Sequence, residues 1–261
     1  MRNVGVELQL NTVNVQTKDF TWETGFTFSK NHNELIELYG GKKDDVTNKW
    51  FIGEPIDVNY DYVFDGIWQT DEAEQAAVYG QKPGQVKVRD IDGNKVIDVD
   101  DKQILGQRSP KWIGSITSTF RYKDFDLSVY LYTQQGAQVQ DAFMSSFMTF
   151  EGNYNQLDVD YWTENNPSNE FPQPGNKGKY YDTMRYIDVS FVRVGSITLG
   201  WNIPKEWTKK IGIKNARLYF TTNNPFTFSS YKGFDPEWAT QNTWGTVTGY
   251  TTYLIGTKIE F

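Results

Sequence analysis

The residues best suited to chemistry in this chain lie in one stretch, DIDGNKVIDVDD at residues 90–101. Asp90, Asp92, Asn94, the Val96 carbonyl, Asp98 and Asp101 fall at positions 1, 3, 5, 7, 9 and 12 of an EF-hand-like loop, where hard oxygen ligands suit Ca²⁺. Lys95 stands at position 6, where glycine ordinarily makes the sharp turn. A lysine held at positive φ costs roughly 1 kcal/mol, and its charge opposes a nearby cation. Two readings follow: a weak Ca²⁺ site, or a solvated Asx-rich turn that pins its loop without metal. Enzymatic chemistry has less to work with. His32 is the single histidine and there is no cysteine, so neither a His/Cys metal cluster nor a Ser-His-Asp arrangement can be assembled. Asp158 and Asp160 form an acid pair, but their spacing sets neither as acid nor as base, and they read as solvated. The sequence predicts no enzyme.

The elements that must position this loop are strands. Phe261, Ile259, Ile255 and Tyr253 share one side of an extended C-terminal segment, with Glu260, Lys258, Thr252 and Thr248 on the other. An aromatic last residue on the apolar side of a long strand suits a transmembrane barrel, in which outward residues meet lipid and inward ones a wet lumen. The mean hydropathy of -0.62 does not oppose this, because only alternate barrel residues face lipid. Aromatics at 16% and 22 glycines suit strands joined by tight turns. The net charge of -7 argues against nucleic acid as a partner. MRNVGVELQL alternates from its start and shows no signal peptide.

Val4, Val6, Leu8 and Leu10 alternate with polar neighbours, and after Thr17-Lys18-Asp19 the residues Phe20, Trp22, Phe26 and Phe28 line the next strand. Within a first excursion, residues 60–69 read as one strand and residues 71–79 as a short helix stopped by Gly80. Trp112, Ile116, Phe120 and Tyr122 resume the alternation. A tight turn at Lys123-Asp124 leads to Phe125, Leu127, Val129 and Leu131. Ile187, Val189, Phe191, Ile197, Leu199 and Trp201 mark one further strand, Leu218 and Phe220 another. The excursions, residues 31–111, 134–186 and 224–245, are long and polar, the second too polar to form core. Connections thus alternate short and long, the pattern of short periplasmic turns and long extracellular loops. The expected fold is all-β: about seven strands from the C-terminal part of a large transmembrane antiparallel β-barrel, an odd count that a complete bacterial barrel does not have. Residues 1–261 then form one C-terminal portion, with earlier strands and any plug absent and Met1 either an internal methionine or a gene-model start.

Five segments carry a family likeness: DGIWQ at residues 65–69, PGQVKVRDIDGNKVIDVDDKQILG at 83–106, YKDFDLSVYL at 122–131, SFVRVGSITLGWNIP at 190–204 and NPFTFSSYKGFDPE at 224–237. In order and spacing they resemble the C-terminal pattern of the SusC/RagA family of TonB-linked outer-membrane proteins. The Asp-rich loop departs from that family's form at Asp92, Asn94 and Lys95. The resemblance implies residence in the outer membrane of a Gram-negative bacterium and contact with its lipid. It implies active import of nutrients, most often oligosaccharides and sometimes peptides, energised through TonB by a missing N-terminal region. It also implies a SusD-like surface lipoprotein as lid. The alternative is a soluble, secreted β-sandwich that binds carbohydrate through surface aromatics.

Other residues read more plainly. His32 is expected in a solvated loop. Arg193 interrupts an apolar strand and is expected to snorkel near a membrane interface rather than to touch substrate. Trp22, Trp112, Trp201 and Tyr253 suit interfacial girdles. Trp162, Phe234, Trp238 and Trp244 lie in the excursions and are the better candidates for ligand or lid contact.

Overall fold

The computed structural model describes residues 1–141, 147, 155–239 and 249–261. Its strands are β1 (Arg2–Gln16), β2 (Phe20–Glu34), β3 (Val58–Tyr62), β4 (Phe64–Ile67), β5 (Val86–Val88), β6 (Lys102–Gln107), β7 (Trp112–Tyr122), β8 (Phe125–Gln135), β9 (Gln138–Gln140), β10 (Tyr186–Asp188), β11 (Phe191–Asn202), β12 (Asn215–Ser229) and β13 (Thr252–Glu260). Seven of them form one open antiparallel sheet in the order β1-β2-β7-β8-β11-β12-β13.

Short connections join the strands at one end of this sheet. Thr17 closes the first, its hydroxyl accepting from the Phe20 amide at 3.0 Å. Lys123 takes φ +52 in the second, as a two-residue hairpin turn requires, and its amide donates to the Asp19 carbonyl at 2.9 Å, tying the two turns together. The third is longer, with a helical turn at Lys205–Thr208 and a left-handed Gly212. The three long excursions leave the opposite end.

Register separates the two faces. Val15, Trp22, Phe120, Leu127, Leu199, Phe220 and Ile255 form a continuous apolar row across all seven strands. The adjacent row on the other face, beginning in β2, reads Thr21, Arg121, Asp126, Gly200, Tyr219 and Gly256. Bulges between Val13 and Val15 and between Val194 and Ser196 keep the rows in phase. Nothing among the described residues covers the apolar face: Val6 is 65% and Ile255 76% exposed. A soluble sandwich would bury this face against a second sheet, so the exposure counts against that alternative.

The largest buried core lies in the excursions. Ile67, Val86, Val88, Trp162, Tyr180 and Tyr181 pack together, bringing the first and second excursions into one small folded cap. The second excursion was expected to be too polar to form core, and it supplies three of these side chains. Sparse aromatics suffice when a neighbouring segment provides the aliphatic half. The expected single strand at residues 60–69 is two, β3 pairing with β6 and β4 with β5. The expected strand at residues 187–201 also divides, because β10 leaves the main sheet to pair with β9. β2 and β12 extend several residues past the expected excursion starts at residues 31 and 224. Backbone pairing continues there regardless of side-chain polarity, with Arg2 opposite Glu34 and Phe191 opposite Ser229. The helix Ala73–Val78 and the left-handed Gly80 stand where the sequence puts them.

Candidate functional site

The Asp-rich loop folds on itself. Asp90 accepts from the Gly93 amide at 2.7 Å, the Lys95 amide at 2.9 Å and the Tyr79 hydroxyl at 3.1 Å. Asp92 receives the Asn94 amide at 3.0 Å, and the Asn94 side-chain oxygen receives the Val96 amide at 2.7 Å. Asp101 is fully buried and accepts from the Ile91 and Asp98 amides at 2.7 and 2.9 Å. These bonds draw carboxylate oxygens of Asp90, Asp92 and Asp101 to within 4.8 Å of one another. Asp98 lies outside that cluster and caps the short helix Val99–Asp101 through the Asp100 amide at 2.9 Å. Lys95 adopts φ +67, so the loop keeps the left-handed turn without the glycine. Burial acts to raise the Asp90 pKa, but the Lys95 and Gly93 amides and the Tyr79 hydroxyl outweigh it and hold the carboxyl below the usual range. The loop thus has the form of an Asx-rich turn in which three of the six oxygen donors, all carboxylates, converge.

Arg193 is a different kind of centre. It lies on β11 at 3% exposure, and its guanidinium donates to Asp235 at 2.6 Å, to Glu237 at 2.8 Å, to the Thr227 hydroxyl at 2.9 Å and to the Tyr132 hydroxyl at 3.3 Å. Tyr132 in turn donates to Glu237 at 2.7 Å. The guanidinium carbon lies 5.0 Å from the Phe191 ring centroid. The expectation that Arg193 snorkels is therefore corrected: it points to the polar face of the sheet, where two carboxylates of one short segment neutralise it. Closer to the short turns, Arg121 meets Glu23 at 2.7 Å and Arg217 meets Asp126 at 2.6 Å on the same face. One side of this sheet is wet and charged, the other apolar.

Comparison with known proteins decides the family. No protein-family model matches the chain. It is 30% identical over 254 residues to TonB-dependent receptor P3 of Formosa agariphila, covering 91% of this chain and 25% of that protein. It is 28% identical to TonB-dependent receptor SusC of Bacteroides thetaiotaomicron, covering 100% of this chain and 26% of that protein. The structure of the RagAB peptide transporter superposes with a TM-score of 0.79 at 23% identity, covering 99% of this chain and 29% of that one. The chain belongs to the SusC/RagA family of TonB-dependent receptors. It spans about a quarter of the length of the curated relatives it matches. None of these relatives is named for an enzymatic activity.

Within this SusC/RagA chain the aromatic residues divide by face. Trp22 stacks on Phe120, Trp112 packs on Phe28, Trp201 stacks on Phe125 and Tyr253 on Phe220, all on the apolar side. Trp162 is a correction. It is only 3% exposed, donates to Gln69 at 3.0 Å and packs over Gly84, so it holds the cap together rather than meeting ligand. Phe234 and Trp238 are exposed, and Trp244 lies outside the described residues. Asp158 and Asp160 are exposed, as expected of solvated residues, whereas His32, also exposed, stands on β2 opposite Val4 rather than in the expected loop. Sequence reasoning missed the Arg193 centre. The available signal was an arginine inside a strand-like run together with two acids at spacing i, i+2, Asp235 and Glu237, in a distant motif.

Proposed function

We propose that this chain is part of the wall and outer loops of an outer-membrane importer that takes up nutrients, most often oligosaccharides, in a Gram-negative bacterium. The observation that carries the reading is the two-faced sheet: an uncovered apolar face opposite a polar one bearing ion pairs, with short turns at one end and long excursions at the other. The similarity to SusC and to the RagAB transporter fold supports it. On this reading residues 31–111, 134–186 and 224–245 are extracellular, a SusD-like lipoprotein closes over them, and TonB couples import to the inner-membrane proton gradient through a separate region. Excursion residues 90–101, 151–181 and 224–243 then carry the substrate and lid contacts.

The test is made on the full-length receptor in its host. We expect it in the outer-membrane fraction with a co-purifying lipoprotein, and we expect nutrient uptake to stop when TonB is removed. Recovery in the soluble fraction without detergent, or uptake and lipoprotein binding unchanged by deletion of all three excursion segments, sinks the reading.

The convergence of Asp90, Asp92 and Asp101 favours one addition, a weak Ca²⁺ held by these residues with help from Asn94, the Val96 carbonyl and Asp98. Its chemistry would be structural, offsetting most of the charge of the three carboxylates and clipping the loop within the first excursion. Limited proteolysis of the full receptor measures it. Millimolar Ca²⁺ is expected to slow cutting between residues 90 and 101 relative to chelator, and equal rates reject the ion.

A further inference from the structure

The three short connections of the main sheet differ in charge. Residues 17–19 and 123–124 each set one lysine beside one aspartate, whereas residues 203–214 carry Lys205, Lys209, Lys210 and Lys214 against the single acid Glu206. This cationic patch belongs to a chain whose net charge is -7. Lys205, Lys209 and Lys210 are exposed, and among the described residues none of them enters an ion pair.

The same connection also exposes apolar side chains. Trp207 is 58% exposed, and Ile211, one turn further along, is 72% exposed. Trp207 meets Trp201 edge to face, ring centroids 6.1 Å apart, and Trp201 stacks on Phe125 at 6.0 Å. Trp201 and Phe125 are register partners on the apolar face, so the connection carries that face past the end of the strands.

The backbone holds this arrangement in place. Thr208 is buried and its carbonyl accepts from the Ile213 amide at 3.1 Å, and Gly212 reverses the chain at φ +77. Lys214 fastens the far end to β13, its amide donating to the Glu260 carbonyl at 2.8 Å and its ammonium to the Phe261 carbonyl at 2.7 Å. Lys214 is thereby occupied, and three lysines are left for a partner. A ligand does not have to order the turn.

The chemistry selects that partner. An exposed tryptophan and isoleucine suit the boundary of the acyl chains, and cations beside them suit phosphates at headgroup depth. An acidic protein could meet the lysines, but the continuity of Trp207 with the Trp201–Phe125 stack puts the patch at the edge of the lipid-facing wall. A zwitterionic headgroup already supplies its phosphate with a cation. An anionic one does not, so three unpaired lysines favour the anionic class. We infer that residues 203–214 anchor anionic glycerophospholipid, with Trp207 and Ile211 entering the interface and Lys205, Lys209 and Lys210 holding headgroup phosphates. The inference rests on the reading of the sheet as a membrane wall and adds to it a lipid class and the element that binds it.

The experiment uses the full-length receptor in phosphatidylcholine vesicles that contain a brominated quencher lipid, either phosphatidylcholine or phosphatidylglycerol. These residues include no cysteine, so a bimane label on Glu206→Cys reports from the connection once any cysteine elsewhere in the receptor is replaced by serine. The same label on Leu199→Cys, in the apolar row, reports from the wall. Folding of each variant is checked by outer-membrane abundance and heat-dependent gel migration. At position 206, brominated phosphatidylglycerol is expected to reach half-quenching at an about fivefold lower mole fraction than brominated phosphatidylcholine. Salt at about 1 M is expected to erase most of that preference. Replacing Lys205, Lys209 and Lys210 together by Gln is expected to bring the two lipids level, while replacing them by Arg keeps the preference. Trp207→Ala is expected to weaken quenching by both lipids. Equal quenching by the two lipids with the native lysines, or a preference that survives the three Gln substitutions, overturns the inference. So does a label at 206 that neither lipid quenches while the label at 199 is quenched, which would assign the patch to water or to a protein. In each of these cases the wall remains in lipid. If neither label is quenched, the membrane reading falls together with the anchor.

Discussion

At the scale of single residues, Arg193 has the largest expected effect. A buried guanidinium with two carboxylate partners is costly to leave half-paired, because the remaining charge loses its compensation without regaining water. Arg193→Ala is expected to cost roughly 3–5 kcal/mol and to release the helical turn Pro236–Ala239 from the wall. Arg193→Lys should recover only part, since an ammonium cannot reproduce the forked contacts to Asp235 and Glu237. Protease cutting next to residue 235, compared across the three proteins, measures this, and equal cutting in all three would show the network to be incidental. Asp90 supports a different prediction. Its folded pKa is depressed, so its contribution is present above the unfolded value near about pH 4 and is lost as pH falls through the folded value. Amide exchange at Gly93 and Lys95, corrected for the intrinsic pH dependence of exchange, should show constant protection from neutral pH down to about 4 and a loss below it. Protection that disappears between pH 7 and 5 would place the control in some other group.

At the scale of elements, the cap shows what sequence could and could not disclose. Main-sheet strands were legible because alternation with period two is imposed by the pleat on every residue of a two-faced sheet. The six-residue core of Ile67, Val86, Val88, Trp162, Tyr180 and Tyr181 was not, since its members come from separate segments with no shared periodicity. The polar contacts that join those segments are scattered too, among them Ile67 amide to Asn169 at 2.6 Å, Gln85 to Asn176 at 2.7 Å and Gln173 amide to the Gly84 carbonyl at 2.8 Å. No local pattern announces such pairs. The Asp-rich turn was legible because the spacing of its acids and Asn94 is local, whereas the Arg193 centre joins residues 42 apart in the chain. Gly84 offers the sharpest test of the cap. It holds φ +82, and a β-carbon would lie 2.7 Å from the Trp162 ring, so Gly84→Ala combines backbone strain of about 1–2 kcal/mol with a displaced tryptophan. Faster proteolysis within both joined excursions is the expected result. If only the first excursion becomes sensitive, the two do not fold as one cap.

At the scale of the whole molecule, the two faces of the sheet make opposite demands on a charge. Leu199 lies in the middle of the apolar row, between Leu127 and Phe220, and its side chain meets whatever surrounds the wall. Ser128 lies one row away on the other face, opposite Thr119 and Thr198. If the wall is embedded in lipid, Leu199→Arg carries a cation into hydrocarbon and costs roughly 2–4 kcal/mol, while Ser128→Arg keeps the same charge in a wet lumen at little cost. In water the apolar face would carry no such penalty, because an exposed arginine is solvated as well as any surface residue. Urea unfolding of the full-length receptor in lipid vesicles separates these cases. A destabilisation confined to Leu199→Arg places the apolar row in the bilayer. Equal stabilities for the two variants would mean that the exposed aromatics and aliphatics are covered by protein or water, and the outer-membrane reading of the sheet would fall with them.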